Sequence, residues 1–546
     1  MGFEVCFKEM PIIKSSFPLT ARELLAKTNF PKKDQVVACR VNNAQRPLSW
    51  VVDMDSSIDF ITTDSIEGIE VYTRTLMFML TSAASRICGI RLRLAQSMNY
   101  SYYYENPDGP ITEEQCKAIA AEMRRMVSAG TPFIREEVSI DKARAIMESQ
   151  GYGDKEALLR WLGTDPVVLY RCEGIYDTFA SAIADTAAIV PTFDLHLYKG
   201  GIFLSGPTLT HPARTFEFKT SAKTLKLFQS YSKWLEDLDL RTMDKIHELV
   251  AQGRARDLLM VCEALHTKVL GEVCNNIESR PDVRLLCLAG PSSSGKTTSS
   301  RRLRVQLLTS GIRSVTIELD NYFVDRDKTP LDADGKLDFE ALEALDTDLI
   351  NEHLIALIEG KQIEVPKFDF ITGKRTKGYN LRIAPNEILV IEGIHGLNEK
   401  VTEQVPQERK YGIFICPLTG TNIDMHNRIG TTDTRLFRRM VRDYRTRGHS
   451  PEATLLRWPS VVRGSHRHIF PYQEKADTLF NTALAYELPV IKGYAVPLLK
   501  SVPEKSEAFG EAQRLLSILD AVPIIPSDDV PNTSIFREFI GGSCFE

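Results

Sequence analysis

The segment Gly290-Pro-Ser-Ser-Ser-Gly295-Lys296-Thr297 is where this sequence concentrates its chemistry. It fits the pattern G-x-x-x-x-G-K-[ST], in which small residues let successive backbone N–H groups turn toward a phosphate chain. The apolar run RLLCLAG leads in and TTSSRRLRVQLL leads out, so a buried strand and a helix N-terminus flank the loop. Gly290, Pro291, Ser292, Ser293, Ser294 and Gly295 make the cradle, and Thr298 extends it. Lys296 reaches the β- and γ-phosphates of a nucleoside triphosphate, and Thr297 offers its hydroxyl to Mg²⁺. An ordinary Gly/Ser turn is the plain alternative, and the flanking strand and helix speak against it.

Two acids close apolar runs downstream: SVTIELD ends at Asp320 and EILVIE at Glu392. Open parallel sheets gather ligands at the carboxyl ends of their strands. A carboxylate at Asp320 can take the proton of an attacking hydroxyl, and one at Glu392 can hold Mg²⁺ or a metal-bound water. A turn cap before Asn321 and a strand-end surface acid are the respective plain readings. The helical stretch DTRLFRRMVRDYRTRG sets Arg435, Arg439 and Arg442 on one face at i, i+4 and i+7. Guanidinium forks suit the charge of a transferring phosphoryl group, although a solvated basic face is the commoner fate of such runs.

Taken in order, the phosphate loop, SVTIELDNYFVDRD, GKLDFEALEALD, KFDFITGKR, EILVIEGIHGL and DTRLFRRMVRDYRTRG resemble the uridine kinase/phosphoribulokinase family of P-loop nucleoside kinases. The resemblance implies ATP with Mg²⁺, a general base at Asp320 and a lid formed by the arginine helix. It also implies ribose contact at Asp338 and base contact at Phe368 and Phe370, with Arg375 in the same motif. On the residues alone, a solvated Asp338 and core packing of both rings stay equally open. The chain departs from its relatives here. Uridine kinases typically show Tyr-Asp-Phe-x-x-His-x-Arg, where this sequence has Phe368-Asp369-Phe370-Ile371-Thr372-Gly373-Lys374-Arg375. The tyrosine hydroxyl and the histidine are gone, which leaves the base open, purines included. The stretch RWPSVVRGSHRHIFPYQEKADTLFNTAL is similar to the long-chain subgroup. Its His466 and His468 read as surface or phosphate contacts, since nothing nearby completes a metal set.

The N-terminal half carries a second resemblance. Residues 1–64 resemble a TGS domain, a β-grasp module; residues 65–215 are similar to the editing-type second domain of threonyl-tRNA synthetases, through TLMFMLTSAASRI, NYSYYYE and YRCEGIYDTFASAIADTAAIVPTFDLHLYKG. The HxxxH and CxxxH pairs of the synthetases become Thr81 with Ser85 and Cys172 with Tyr176. Neither a metal nor aminoacyl hydrolysis is therefore expected there. Cys172 reads as a buried thiol.

These pieces define an α/β P-loop kinase with a parallel sheet, preceded by a β-grasp module and an α+β unit. The expected bounds are 1–64, 65–215, a helical connector at 216–280, the kinase at 281–500 and a Pro- and Ser-rich tail at 501–546. The 546 residues and their 43% hydrophobic content match an ordinary globular chain. A net charge of −5 gives no global pull on nucleic acid or anionic membrane. The ten scattered cysteines suit a reducing compartment. No secretory leader or span of ~20 apolar residues appears, so a cytoplasmic protein is expected. The expected reaction is γ-phosphoryl transfer from ATP to the 5′-hydroxyl of uridine, cytidine or another nucleoside. A different small alcohol (a phosphorylated sugar or pantothenate) is one alternative acceptor. A regulatory RNA- or ribosome-binding protein with a nucleotide-sensing kinase fold is another reading. Homo-oligomerisation and an RNA contact through the N-terminal half stay open.

Overall fold

A computed structural model describes residues 3–7, 10–98, 100–163, 165–209, 211–215, 221–332, 335–369 and 372–545. A five-stranded sheet opens the chain, in the order Ile13–Ser15, Phe3–Phe7, Ser56–Thr62, Val36–Val41, Ala44–Arg46. The helix Ala21–Lys27 packs on it, entered through the expected capping box of Thr20 and Glu23. The next unit joins the helices Ile66–Cys88 and Glu113–Ala129 to a four-stranded and a three-stranded antiparallel sheet. The sequence reads as largely helical from Glu67 on to Leu94. The first helix stops instead at Gly89, whose φ of 65° reverses the chain, and Leu94 lies in a strand.

The C-terminal unit is built on a five-stranded parallel sheet, ordered Arg313–Glu318, Glu387–Gly393, Leu285–Ala289, Lys410–Cys416, Thr478–Asn481. Its strands are apolar on both faces because helices cover both. Leu285, Cys287, Leu389 and Ile391 face the helix Thr347–Ile358 through Ile350 and Leu354. Leu286, Leu288, Val390 and Ile413 face Leu303 and Leu307 of the helix Lys296–Thr309. They also meet Val273 and Ile277 of Ala255–Glu278. The two faces alternate residue by residue, as a strand requires.

Two sequence boundaries shift as a result. The connector helices Ala222–Asp237, Met243–Ala251 and Ala255–Glu278 form part of the core of this C-terminal unit: Leu235, Met243, Ile246 and Leu259 pack with Phe437, Met440 and Leu488. The segment after residue 500 also folds back. Its helix Phe509–Asp520 and the short turn Arg537–Ile540 bury Leu515, Phe536 and Phe539 in that same cluster. The segment is Pro- and Ser-rich up to Asn532 and apolar beyond it, and Ile535, Phe536 and Phe539 are each 0% exposed. No helix among the described residues is long and apolar enough to cross a membrane.

Phe536→Ala is therefore expected to behave as a core deletion, lowering the stability of the C-terminal unit by about 3–5 kcal/mol in chemical denaturation. A change within about 0.5 kcal/mol, as at a free surface, would show that the segment does not belong to the core.

Candidate functional site

The loop Gly290–Gly295 leaves the middle strand of the parallel sheet at its carboxyl end and enters the helix Lys296–Thr309. Two glycines are required by geometry. A Cβ on Gly290 would lie 2.1 Å from the Ile415 carbonyl oxygen, and Gly295 holds φ at 87°. Ser293 also takes a positive φ, 60°. The hydroxyls of Ser293 and Ser294 and Oε2 of Glu392 are buried with no hydrogen-bond partner among the described residues. Such orphaned groups lining a cradle of amides are what an absent polar ligand leaves behind. Lys296 Nζ donates to the Pro291 carbonyl at 3.3 Å, folded over its own loop.

Glu392 ends the strand beside the loop strand, with Leu288 paired to it in register. Its Oε1 accepts from the Thr297 hydroxyl at 2.7 Å. Burial pushes its carboxyl up to about 7, against the pull of Lys296 and the Thr297 bond. Thr297 and Glu392, separate in sequence, thus form one oxygen pair next to Lys296. Asp320 sits half-buried in the short turn Leu319–Tyr322 that follows the neighbouring strand. It is close enough to act electrostatically on Glu392 and on Arg447.

The arginine helix runs from Thr431 to Arg447. Arg435 Nε donates to the Ser292 carbonyl at 2.9 Å, and Arg439 donates to the Ser292 hydroxyl at 3.0 Å. Burial pulls the Arg435 guanidinium down to about 10. Arg442, expected on the same face, is not brought to the loop: it bonds Asp443 at 2.9 Å. Asp443 also holds Arg439 and Arg447, and these arginines keep its carboxyl below the ordinary range despite burial. Arg438 instead reaches the cradle. It is 0% exposed, paired with Glu487, and donates to the Ser294 carbonyl at 3.3 Å. A helical wheel that assigns the basic face to solvent misses it, because the helix is packed on both sides.

Asp338, Arg375 and Phe368 divide into paired and core groups. Asp338 accepts from the Glu340 backbone at 3.0 Å and lies 3.8 Å from His468 Nε2. Arg375 donates to Asp346 at 2.9 Å. Phe368 is 5% exposed and packs against Phe323 with ring centroids 5.6 Å apart, so its ring serves the core. Phe370 lies outside the described residues. His466 stacks on Tyr100 of the N-terminal half, centroids 4.7 Å apart.

Three acids at the site escaped the sequence reading. Glu340 is buried in the field of Arg439, Arg435 and Lys296; burial raises its carboxyl while those cations pull it back. Asp346 caps the helix Thr347–Ile358 and holds Arg375. Glu538, from the C-terminal turn, accepts from Thr298. The first two lie in GKLDFEALEALD, where acid spacing alone gives no preference for one over another.

Comparison with known proteins follows this geometry. Residues 285–486 match the family model described as the phosphoribulokinase/uridine kinase family. A uridine kinase of Halalkalibacterium halodurans is 29% identical over 223 residues, 40% of this chain and 97% of that enzyme. A uridine kinase of Halobacterium salinarum is 27% identical over 194 residues, 35% of this chain and 77% of that enzyme. A threonine–tRNA ligase of Nitratidesulfovibrio vulgaris is 29% identical over 167 residues, 30% of this chain and 26% of the ligase. With its central phosphate loop and five-stranded parallel sheet, the segment 285–486 is an α/β domain similar to that family.

Proposed function

We propose that the chain transfers the γ-phosphoryl group of ATP to the 5′-hydroxyl of a nucleoside. The carrying observation is the convergence on one sheet edge of the loop amides, Lys296, the Thr297–Glu392 pair and two arginines bonded to Ser292. Phosphoryl transfer asks for little besides positioning and charge stabilisation, and this set supplies both. The loop amides and Lys296 hold the phosphates. Arg435 and Arg439 stabilise charge on the transferring group. Asp320, at the end of the neighbouring strand, accepts the proton of the attacking hydroxyl. Thr297 and Glu392 would hold Mg²⁺, whose charge offsets that of the phosphates; two oxygen donors with one unpartnered carboxylate oxygen fit that hard cation. Asp338 and the Asp346–Arg375 pair line the acceptor side. The threonine–tRNA ligase likeness supports reading the N-terminal half as a TGS module followed by an editing-type domain without the synthetase ligand set.

Lys296→Ala is expected to abolish turnover with unchanged circular dichroism; near-normal turnover would defeat the loop assignment. Asp320→Asn should lower kcat by 10²-fold or more while leaving the KM for ATP within about threefold. An effect confined to that KM would remove it from the base role. A panel of all common nucleosides, with ATP and GTP as donors, identifies the acceptor. ADP release with phosphorylated sugars or pantothenate alone would favour a different alcohol.

Glu392 makes a pH prediction whose sign is fixed. Its folded-state value of about 7 stands above the ordinary 4.5. The ligand-free chain therefore keeps its proton below pH 7, and the associated stability is lost as pH rises through that value. Mg²⁺ requires the ionised form, so Mg·ATP affinity should rise toward tenfold per pH unit below 7 and level off above it. Glu392→Gln should bind more weakly with a flat profile, measured by titration calorimetry from pH 5.5 to 8.5.

A further inference from the structure

The amide and hydroxyl of Thr298 belong to the phosphate cradle, and the ligand-free chain already fills them. Glu538 Oε2 accepts from Thr298 N at 3.2 Å and from the Thr298 hydroxyl at 2.8 Å. Thr298 is the third residue of its helix, so its N–H has no partner within the helix and points toward the favoured site for an anion. We propose that Glu538 is a built-in occupant of the cradle, a carboxylate that the donor's phosphates must displace. The proposal rests on the reading of this loop as the ATP site and adds a regulation of that site.

The carboxylate is delivered by a rigid support. A Cβ on Gly295 would come within 2.5 Å of Ile535 Cγ2, so the C-terminal segment lies directly on the loop. Ser534, Ile535, Phe536 and Phe539 are fully buried, and the Arg438 guanidinium sits 4.9 Å above the Phe539 ring. Arg301 donates to the Phe545 carbonyl, tying the end of the segment to the loop helix. Glu538 itself is only half-buried, which leaves its side chain room to swing away while its backbone stays.

Competition follows from charge and from the single hydrogen of an amide. One N–H makes one strong bond, and a carboxylate beside a phosphate oxygen repels it in a partly desolvated site. The apparent affinity for a phosphate chain is then lowered by the fraction of molecules in which Glu538 is released. The same short turn touches the arginine helix, since the Glu538 carbonyl accepts from Arg445 at 3.2 Å.

The test uses the full chain with Mg²⁺ and titrates ATP, inorganic tripolyphosphate and adenosine into wild type, Glu538→Ala and Glu538→Gln. Both variants are expected to bind ATP and tripolyphosphate about three- to tenfold more tightly, with adenosine binding and thermal midpoint unchanged. The glutamine variant keeps the side-chain shape, so tightening there reports charge rather than packing. Equal or weaker binding of ATP and tripolyphosphate in both variants overturns the role of Glu538 alone. A wild-type chain that binds no ATP, like Lys296→Ala, overturns the ATP-site reading and this proposal with it.

Discussion

Everything at this site depends on neutralising a buried concentration of positive charge. The loop presents several amides, Lys296 lies across it, and Arg435 and Arg438 are 1% and 0% exposed. A buried cation left unpaired costs several kcal/mol, so a fold that gathers these groups must also gather acids. Glu487 pairs with Arg438, Glu340 sits in the field of Arg435 and Arg439, Glu392 faces Lys296, and Glu538 occupies the helix N-terminus. Glu487 and Arg438 are shut away together and fix the loop from behind. Glu392 and Glu340 face the cradle with carboxyls raised by burial, poised to ionise when a compensating cation or a new partner arrives.

The parallel sheet explains why such a set can assemble from distant sequence. Leu288, Glu318 and Glu392 lie in adjacent strands in register, so three separate βα turns open along one edge. The loop, Asp320 and Glu392 were legible for that reason: each is the residue at which an apolar run stops. The loop was legible a second way, since its glycines answer to sterics that no other residue meets. The arginine helix was only half legible. Its spacing names Arg435 and Arg439 correctly as neighbours of one another. It cannot disclose that the opposite face is also buried, which turns Arg438 into a loop contact, or that Asp443 captures Arg442. Tertiary packing decides those outcomes. In the C-terminal segment the sequence shows prolines and serines up to Asn532 and then a short apolar end, SIFREFIGG; only tertiary packing discloses that Phe536 and Phe539 of that end join the core.

The N-terminal half does more than precede the kinase. Residues 419–429, between the strand Lys410–Cys416 and the arginine helix, are gripped by it. Leu94 N donates to the Met425 carbonyl at 2.8 Å, and Asn422 donates back to the Leu94 carbonyl at 2.7 Å. Lys155 Nζ lies 2.6 Å from Asp177 and 2.7 Å from Asp424, all three nearly fully buried. His426 Nδ1 sits 2.6 Å from the other Asp177 oxygen, beneath the Tyr152 ring. Burial alone would raise the Asp177 carboxyl, yet Lys155 and His426 hold it below the ordinary range.

A cluster of this kind adds little net stability, because desolvation offsets most of the Coulomb attraction. What it does add is register. Lys155 bridges Asp177 and Asp424 while His426 takes the second Asp177 oxygen, so sliding the loop by a residue would strand a buried charge. The loop is also the root of the arginine helix, and Arg428 and Asp433, on either side of that root, are held by Ser97 and Arg514. The direction in which Arg435 and Arg439 point is therefore set partly by residues 94–178, far from the phosphate loop in sequence. The contacts of Leu94, Lys155 and Asp177 with residues 422–426 thus tie the root of the arginine helix to the N-terminal half.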